Sequence, residues 1–305
     1  MQITDTVLMI RPAAFSVNDQ TAQNNHFQQA GELSAERVQK EAVHSFNAMV
    51  ALLQSKGINV VVLDDNPYPP KPDAVFPNNW FCTNSSGLLS VFPMFAANRR
   101  AEKRDEILQY LTAQYEVNDF HDWTEYEAEG MYLEGTGSMV MDHENRIIYA
   151  ALSPRTHQSL VEKFAAANGY RVIVFTAHDE NEREIYHTNV MMCIGEGFAV
   201  LCPHAITDHT ERIAVAQLLE ATGHENIYIS LEQMRAFAGN MLQLKNRTGE
   251  RFIVMSQTAW AVLEDEKKER LAQYGTLLPI DPGVIEMGGG SVRCMLAEIF
   301  LQKKK

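Results

Sequence analysis

The feature that most constrains the fold is a repeated order of predicted elements: a strand, a tight polar turn, a second strand, a helix and a third strand. This order occurs four times between residues 81 and 280. The turns are rich in Asn, Asp and Gly, as hairpin connections require. Each unit is roughly 50–60 residues long, which is longer than common solenoid repeats.

The helices of these units are predicted from apolar residues at helical spacing, for example Ile213, Ala216 and Leu219. They cover residues 99–114, 155–168, 208–222 and 258–273. The three strands of each unit read FCTN, LLSVFP and YEVNDF; SMVM, RIIYAAL and YRVIVF; NVMMCI, FAVLC and NIYIS; NMLQLK, RFIVMS and TLLPI.

A fifth unit is split across the two ends of the chain. RCMLAEIF near the end supplies one strand, VLMIRP near the start supplies its partner, and a helix over 34–56 and the strand NVVVLD at 59–64 complete it. Pairing the two ends closes a ring and removes the open edges that a row of sheets would leave. The same pattern is also compatible with an ordinary mixed α/β domain without symmetry.

Composition excludes several classes of partner. The 305 residues carry a net charge of −13, which argues against nucleic acid or an anionic membrane as the main partner. No apolar run approaches the roughly 18 residues of a membrane helix, and TDTVLMIRP at the start lacks the pattern of a signal peptide. Four cysteines do not suggest a disulfide framework, so a reducing cytoplasm is expected.

The segment GGGSVRCM, which ends at Met295, places a lone thiol, Cys294, after a glycine-rich turn. Glycine lets the backbone approach a substrate closely, so Cys294 is a candidate nucleophile, which would require a His to move protons and an acid to orient it. Three other polar segments, DAVFPNNWFCTN, YLEGTGSMVM and YHTNVMMCIG, also lie where the first strand of a unit begins. In a closed ring, these four segments meet around the central axis.

In this ordered set of motifs, the chain resembles the guanidino-group modifying enzymes. That superfamily includes arginine deiminases, dimethylarginine hydrolases, succinylarginine dihydrolases and amidinotransferases. The resemblance covers nearly the whole chain, from Asp73 to Cys294. It implies a five-bladed α/β propeller (pentein) of pseudo-symmetric ββαβ units, with residues 1–305 forming a single catalytic domain.

Residue by residue, the resemblance implies a catalytic set and a substrate-binding set. Cys294 matches the nucleophile that attacks the central carbon of a guanidine or urea group. His187 matches the general acid and base, and Glu134 in LEGTG matches the acid that orients the His.

For the substrate's amino-acid end, Arg155 in SPRTH matches an Arg that holds the carboxylate by paired hydrogen bonds. Asp73 matches an acid near the α-amino group, and Arg99 or Arg100 would add a second carboxylate contact.

The chain departs from the family pattern at two carboxylates. Enzymes that act on a guanidinium usually carry a carboxylate in the segment that matches FPNN, where this chain has Asn78 and Asn79, with Asn79 in the matching place. Deiminases tend to have an Asp two residues after the His, where this chain has Asn189. A buried guanidinium without carboxylate partners is costly, whereas an Asn can meet either face of a urea.

These residues predict a cysteine-dependent hydrolase that converts citrulline to ornithine, ammonia and carbon dioxide, similar to the citrulline ureidase branch of the superfamily. The early segment TAQNNHFQ, with Asn25, is either a lid over the site or a plain polar loop. No cofactor motif is found, and covalent hydrolysis at sulfur needs neither cofactor nor metal. A metal site at Cys202, His204 and His209 is only weakly indicated.

The alternatives are an arginine or modified-arginine deiminase or dihydrolase, an amidinotransferase, and, from another class, a catalytically silent propeller that serves as a binding protein. The expected partner is a small amino-acid substrate, with no nucleic acid and no membrane. The sequence leaves open whether the chain forms a homo-oligomer.

Overall fold

The computed structural model describes residues 1–22, 24–29 and 33–304. Within them lie five three-stranded sheets, and in each the central strand pairs antiparallel with one neighbour and parallel with the other. In chain order the strands are β1 (Thr6–Arg11), β2 (Asn59–Asp64), β3 (Phe81–Thr83), β4 (Leu88–Val91), β5 (Asp119–Asp122), β6 (Val140–Asp142), β7 (Ile147–Leu152), β8 (Arg171–Thr176), β9 (Met192–Ile194), β10 (Phe198–Leu201), β11 (Glu225–Tyr228), β12 (Leu242–Lys245), β13 (Arg251–Ser256), β14 (Thr276–Ile280) and β15 (Ala297–Glu298).

The helices connect the strands or precede them. They are α1 (Ala35–Ser55), α2 (Asp105–Gln114), α3 (Gly135–Ser138), α4 (Gln158–Asn168), α5 (His209–Ala221), α6 (Leu231–Arg235), α7 (Gln257–Val262) and α8 (Asp265–Ala272). Short 3₁₀ helices cover Pro77–Asn79, Ala97–Glu102, Thr124–Glu129, Thr188–Val190, Pro203–Ala205 and Gly283–Gly288.

The two ends of the chain form the fifth sheet, as the sequence predicted. The sheet order is β15-β1-β2, with Val7 opposite Glu298 and Leu8 opposite Ala297 in the antiparallel pair. Neighbouring sheets contact one another through their first strands, β6 with β9, β9 with β12 and β15 with β3. The architecture is therefore the expected five-bladed α/β propeller, and the alternative without symmetry is wrong.

The predicted hairpin turns form for a local reason. In the turn before β4, the Asn84 side-chain oxygen accepts from the backbone N–H groups of Ser86 and Leu88, and Gly87 adopts a φ of 94°. Asn246 accepts from Thr248 and Glu250 in the same way before β13. Such Asx-type bonds close a tight turn without help from the rest of the chain.

Three predicted helices differ in their bounds. The helix predicted over 99–114 begins only at α2, because residues 97–102 form a 3₁₀ helix that buries Arg99 and Glu102. The helix predicted over 155–168 begins at α4, and Arg155 lies in the turn before it. The stretch predicted over 258–273 divides into α7 and α8 where Leu263 becomes extended and buried.

Candidate active site

All five units place a buried polar segment just before the first strand of their sheet. Around the axis these segments contribute Asn79, Glu134, His187, Asn240 and Cys294. Each of these side chains is at most 3% exposed. The residues are far apart in the sequence, and the ring closure brings them together.

His187 and Glu134 form the pair that the sequence predicted. His187 Nε2 lies 2.9 Å from Glu134 Oε2, while Glu134 Oε1 accepts from the backbone N–H of Phe95 at 3.0 Å. Because a carboxylate only accepts, His187 donates through Nε2 and its Nδ1 carries the lone pair in the neutral ring. This geometry leaves Nδ1 available as a base.

The ionisation of this pair follows from its surroundings. Burial opposes ionisation of Glu134, but Arg155, His187 and Arg99 outweigh it and lower its pKa to about 2. Burial also lowers the pKa of His187 to about 4, although the bond to Glu134 acts in the opposite direction. Near neutral pH the pair is therefore a carboxylate and a neutral imidazole.

The sulfur of Cys294 lies among amide groups. Asn240 Nδ2 is 3.4 Å from Cys294 Sγ and Asn189 Nδ2 is 3.7 Å from it. Cys294 is 3% exposed and follows the glycine turn, in which Gly289 has a φ of 77°. A side chain at Gly289 would also collide with Asn25, since a Cβ there would lie 2.4 Å from Asn25 Nδ2.

Cys294 and His187 line one small cavity. Its other lining residues are Asn25, Asp73, Phe76, Asn79, Arg99, Arg155, Tyr186, Gly288, Gly289 and Gly290. A larger cavity is lined by Asn189 and Thr136, but neither Cys294 nor His187 lines it. The smaller cavity is therefore the candidate active site.

Arg99 lies in the wall of this cavity and is held by other side chains. Its Nε and one terminal nitrogen donate to the two oxygens of Glu102 at 2.9 and 3.0 Å, and its other terminal nitrogen donates to Asn79 Oδ1 at 3.1 Å. Asp73 and Glu134 each lie 3.6 Å from it. Arg99 therefore organises the carboxylates and Asn79, rather than offering a free fork to a substrate carboxylate.

Asp73 and Asn79 each leave one buried polar atom without a hydrogen-bond partner among the described residues, Asp73 Oδ1 and Asn79 Nδ2. Asp73 Oδ2 accepts from Asn18 at 2.8 Å. Burial raises the pKa of Asp73, against the opposing effect of Arg99. An unpaired acceptor and an unpaired donor in one buried cavity indicate where a polar ligand would bind.

Arg155 lies in the cavity wall, with its paired donors directed at the N-terminal loop, residues 18–22 and 24–29. Its Nε and one terminal nitrogen contact Asn24 Oδ1 at 3.1 and 2.5 Å, and its guanidinium lies 4.8 Å from the ring centre of Tyr186. Asn25 of the same loop is 5% exposed and lines the cavity. The loop thus covers the site; Gln23, in the segment TAQNNHFQ, lies outside the described residues.

Three of the predicted substrate contacts lie outside the cavity. Asn78 donates to Thr136 Oγ1 at 3.1 Å and does not line the cavity. Arg100 donates to the backbone oxygen of Met94 at 3.1 Å and faces Glu127. Asn189 contacts the sulfur but does not line the cavity either.

Comparison with known proteins places the chain in one family. Over residues 11–301 the sequence matches the family described as N,N dimethylarginine dimethylhydrolase, eukaryotic. The chain belongs to this family. It is thereby a member of the guanidino-modifying pentein superfamily, and its structural neighbours are hydrolases and dihydrolases that act on guanidino groups. No curated protein matches the sequence.

Solved structures share the fold at low identity. The N-terminal domain of ArgZ bound to substrate, an arginine dihydrolase from the ornithine-ammonia cycle in cyanobacteria, has a TM-score of 0.72 at 16% identity, covering 96% of this chain and 97% of that chain. The AgrE complex with L-arginine has a TM-score of 0.74 at 16% identity, and the match covers 96% of this chain and 40% of that chain. The dimethylarginine hydrolase of Pseudomonas aeruginosa complexed with citrulline has a TM-score of 0.67 at 14% identity, and the match covers 98% of this chain and 100% of that chain.

For this family member, sequence reasoning missed Asn240, Glu102 and Tyr186. Asn240 begins the strand segment NMLQLK, and the rule that polar segments precede first strands could have found it. Glu102 falls within the helix predicted over 99–114, and only its burial beside Arg99 reveals its part in the site. Tyr186 directly precedes His187 in the sequence, but nothing in the pattern indicates its contact with Arg155.

Neither a metal site nor a membrane segment is found in the described parts of the chain. They include no group of three or more His, Cys, Asp or Glu side chains arranged to hold a metal ion. Cys82, Cys193 and Cys202 are buried and unbonded. No helix among residues 1–22, 24–29 and 33–304 is both long and apolar enough to cross a membrane.

Proposed function

We propose that the protein hydrolyses the ureido group of citrulline, or of a closely similar amino acid, through a covalent intermediate at Cys294. The observation that carries this proposal is the orientation of the Asn79 amide in the cavity wall. The family relationship supports hydrolysis of a C–N bond next to a central sp² carbon. The Asn79 amide supports a neutral ureido group, rather than a charged guanidinium, at that carbon.

The Asn79 amide has only one orientation that its neighbour permits. A guanidinium has donors only, so the Arg99 contact at 3.1 Å requires the Asn79 oxygen as acceptor. The Asn79 NH₂ group is then the unpaired group. This donor can bind the carbonyl oxygen of a ureido group, whereas a guanidinium offers it no acceptor.

The other unpaired atom suits the amino-acid end of the same substrate. Asp73 Oδ1 is a buried acceptor, and an α-ammonium group brings a positively charged donor to it. Arg155 is the cation available for the α-carboxylate, and a carboxylate would replace Asn24 on its paired donors. Loop opening would therefore accompany binding.

The chemistry uses the Cys294, His187 and Glu134 set. Cys294 Sγ attacks the ureido carbon as its proton passes to His187 Nδ1, and the imidazolium then protonates the nitrogen that leaves. Glu134 holds the ring through Nε2 and stabilises its positive charge. His187 next takes a proton from water, which attacks the thiol-linked carbon and releases the sulfur. Hydrolysis of the thiol-linked carbon leaves a carbamic acid, and its remaining C–N bond breaks as it loses carbon dioxide, so the products are ornithine, ammonia and carbon dioxide.

The direct test is to incubate the purified protein with citrulline and, separately, with arginine, and to measure ornithine and ammonia. We expect release of both from citrulline and none from the Cys294→Ala variant. Turnover of arginine without turnover of citrulline would contradict the proposal.

The second candidate function is hydrolysis of a guanidino group. The family description names N,N dimethylarginine, and the ArgZ structure is that of an arginine dihydrolase. N,N-dimethylarginine is therefore included in the same assay, where release of dimethylamine would favour this candidate. Glycine added with arginine tests for amidino transfer, and binding without any turnover would favour a silent propeller.

A further inference from the structure

The fourth unit of the ring contributes a residue to the site that the functional assignment above does not use. Asn240 lies between α6 and β12, is fully buried, and has its amide beside the sulfur of Cys294. Its two amide hydrogens and its oxygen each have a partner. Such complete use of a buried amide fixes its orientation.

The three contacts of Asn240 join two other units of the ring. Its Oδ1 accepts from the backbone N–H of Arg293 at 3.1 Å, and its Nδ2 donates to the backbone oxygen of Asn189 at 2.9 Å. Since the first contact requires an oxygen and the second requires an N–H, the amide cannot be reversed. The remaining hydrogen of Nδ2 faces Cys294 Sγ at 3.4 Å, closer than the Asn240 and Asn189 oxygens, which lie 3.8 and 4.0 Å from the sulfur.

The backbone around Asn240 is built for this contact. A Cβ at Gly239 would lie 2.4 Å from the backbone oxygen of Val190 and 2.7 Å from the carbonyl carbon of Met191. Only glycine allows the two segments to approach this closely. The approach brings the Asn240 amide within reach of both Asn189 and the sulfur.

We infer that Asn240 is a further catalytic residue, which holds Cys294 Sγ in place and stabilises negative charge on it by an amide hydrogen bond. Asn189 Nδ2, 3.7 Å from the sulfur, is the second donor of the same kind. Among the described residues, these are the side-chain donors that contact Sγ. A hydrogen bond to the charged form of a group favours that form, so Asn240 makes the thiol more reactive without placing a cation in the pocket.

This inference rests on Cys294 as the nucleophile of the proposed function, but not on the identity of the substrate. The experiment therefore measures the thiol itself. The wild-type protein, Asn240→Asp and Asn226→Asp are treated with iodoacetamide over a range of pH, and alkylation of the Cys294 peptide is followed by mass spectrometry. Asn226→Asp is the matched control, because Asn226 is a buried Asn of β11 that donates to Ala216 and does not line the cavity.

Asn240→Asp keeps an oxygen for the Arg293 N–H but removes both amide hydrogens. We expect at least a tenfold slower alkylation near neutral pH, a shift of the rate profile to higher pH, and a lower kcat with little change in KM, whereas Asn226→Asp keeps the wild-type profile. An alkylation profile of Asn240→Asp equal to that of the wild type would overturn the inference. A Cys294→Ala variant with full turnover would instead reject the nucleophile.

A second variant covers failure of Asn240→Asp to fold. Asn240→Ser is neutral and smaller, and its hydroxyl can accept from the Arg293 N–H. Slower alkylation with native circular dichroism supports the inference. Wild-type alkylation at every pH contradicts it. Added citrulline is not needed for either readout, so failure of the substrate assignment remains separate.

Discussion

Asn78 and Asn79 are adjacent in the sequence, yet their amides lie in different surroundings. Asn79 lines the cavity and is oriented by Arg99, while Asn78 donates to Thr136. Both were predicted as substrate contacts from the same two letters. At the scale of the residue, the type of side chain was predictable, but the direction in which it points depends on Arg99 and Glu102.

Asn79→Asp tests the orientation argument. The change replaces the unpaired NH₂ group with an oxygen, which repels a ureido carbonyl and can accept from a guanidinium. We expect kcat/KM for citrulline to fall by about 100-fold or more, as when a buried polar partner is lost, and the ratio of citrulline to arginine turnover to fall with it. Steady-state kinetics with both substrates provides the measurement.

Asn78→Asp is the matched control, since it makes the same change one residue away and outside the cavity. It should lower the activity on the two substrates by similar factors. A fall in the citrulline-to-arginine ratio of the same size in both variants would show that the orientation of Asn79 is not the cause.

The charge states of His187 and Glu134 predict how stability changes with pH. Burial lowers the pKa of His187 from 6.5 to about 4, so the unfolded chain binds a proton at this group in that window and the folded chain does not. The free energy of unfolding therefore falls as the pH falls from 6.5 to about 4. The pKa of Glu134 is lowered from 4.5 to about 2, so this group also lowers the free energy of unfolding as the pH falls below 4.5.

Glu102 acts in the opposite direction. Burial raises its pKa from 4.5 to about 7, although Arg99 opposes this shift. The stability that Glu102 contributes is therefore lost as the pH rises from 4.5 to about 7. Comparison with a neutral variant, His187→Asn, isolates the histidine. Urea unfolding at several pH values should give a smaller loss of stability between pH 6.5 and about 4 in the variant than in the wild type. If the unfolding free energy changed equally with pH in the variant and the wild type, the pKa of His187 would not be lowered in the folded protein.

At the scale of the element, the predicted strands and hairpins were largely correct, whereas two helix starts were wrong and a third predicted helix is divided in two. Hairpins depend on local turn chemistry such as the Asn84 bonds, which a sequence displays directly. The first residues of two predicted helices, Arg99 and Arg155, instead line the cavity, Arg99 from a 3₁₀ helix and Arg155 from a turn. Their periodicity is compatible with a helix, but their charges find partners only in the assembled ring.

Gly137 in α3 shows how closely the site segments pack. A Cβ at this position would lie 2.4 Å from Asn79 Nδ2 and 2.8 Å from His187 Nδ1. Gly137→Ala must therefore displace one of the two side chains, and a displacement of about 1 Å at a reacting group can cost about 100-fold in rate. We expect a loss of kcat of that order, with a modest fall in melting temperature.

Gly130→Ala is the control for this variant. Gly130 has a φ of 70° but nothing within 4 Å of its Cβ position, so the substitution introduces backbone strain without touching the site. It should lower the melting temperature and leave kcat unchanged. Normal kcat in Gly137→Ala would mean that Asn79 and His187 are not held in place by this contact.

At the scale of the whole molecule, the end of the chain closes the ring. Ile299 N–H donates to Thr6 at 2.9 Å, its oxygen accepts from Thr4 Oγ1 at 2.6 Å, and Phe300 N–H donates to Thr83 Oγ1 at 2.9 Å. The two bonds of Ile299 close the fifth unit, and the bond of Phe300 joins that unit to the unit of β3, next to the turn that carries Cys294. We therefore expect ring closure and activity to be coupled.

Two truncations test this coupling. Removing residues 299–305 eliminates the closing bonds and the buried side chains of Ile299 and Leu301, which contribute roughly 3–6 kcal/mol together if each is fully buried. Removing only residues 303–305 loses the bond from Lys304 N–H to Gln114. We expect the longer deletion to lower both the unfolding free energy and kcat severely, and the shorter one to change each slightly. Equal effects would argue against closure through β15.

The sequence by itself determined the repeated ββαβ order, the pairing of the two chain ends and the identity of the polar segments around the axis. These features depend on hydrophobic period, turn residues and motif order, which are properties of neighbouring residues. Only the tertiary structure decided that Asn79 presents its NH₂ group, that Asn240 joins the sulfur, and that Arg99 and Arg155 are occupied by Glu102 and Asn24. Those facts depend on hydrogen bonds between buried side chains that only the fold brings together, within one unit for Asn79, Arg99 and Glu102 and between units for Asn240 and Arg155.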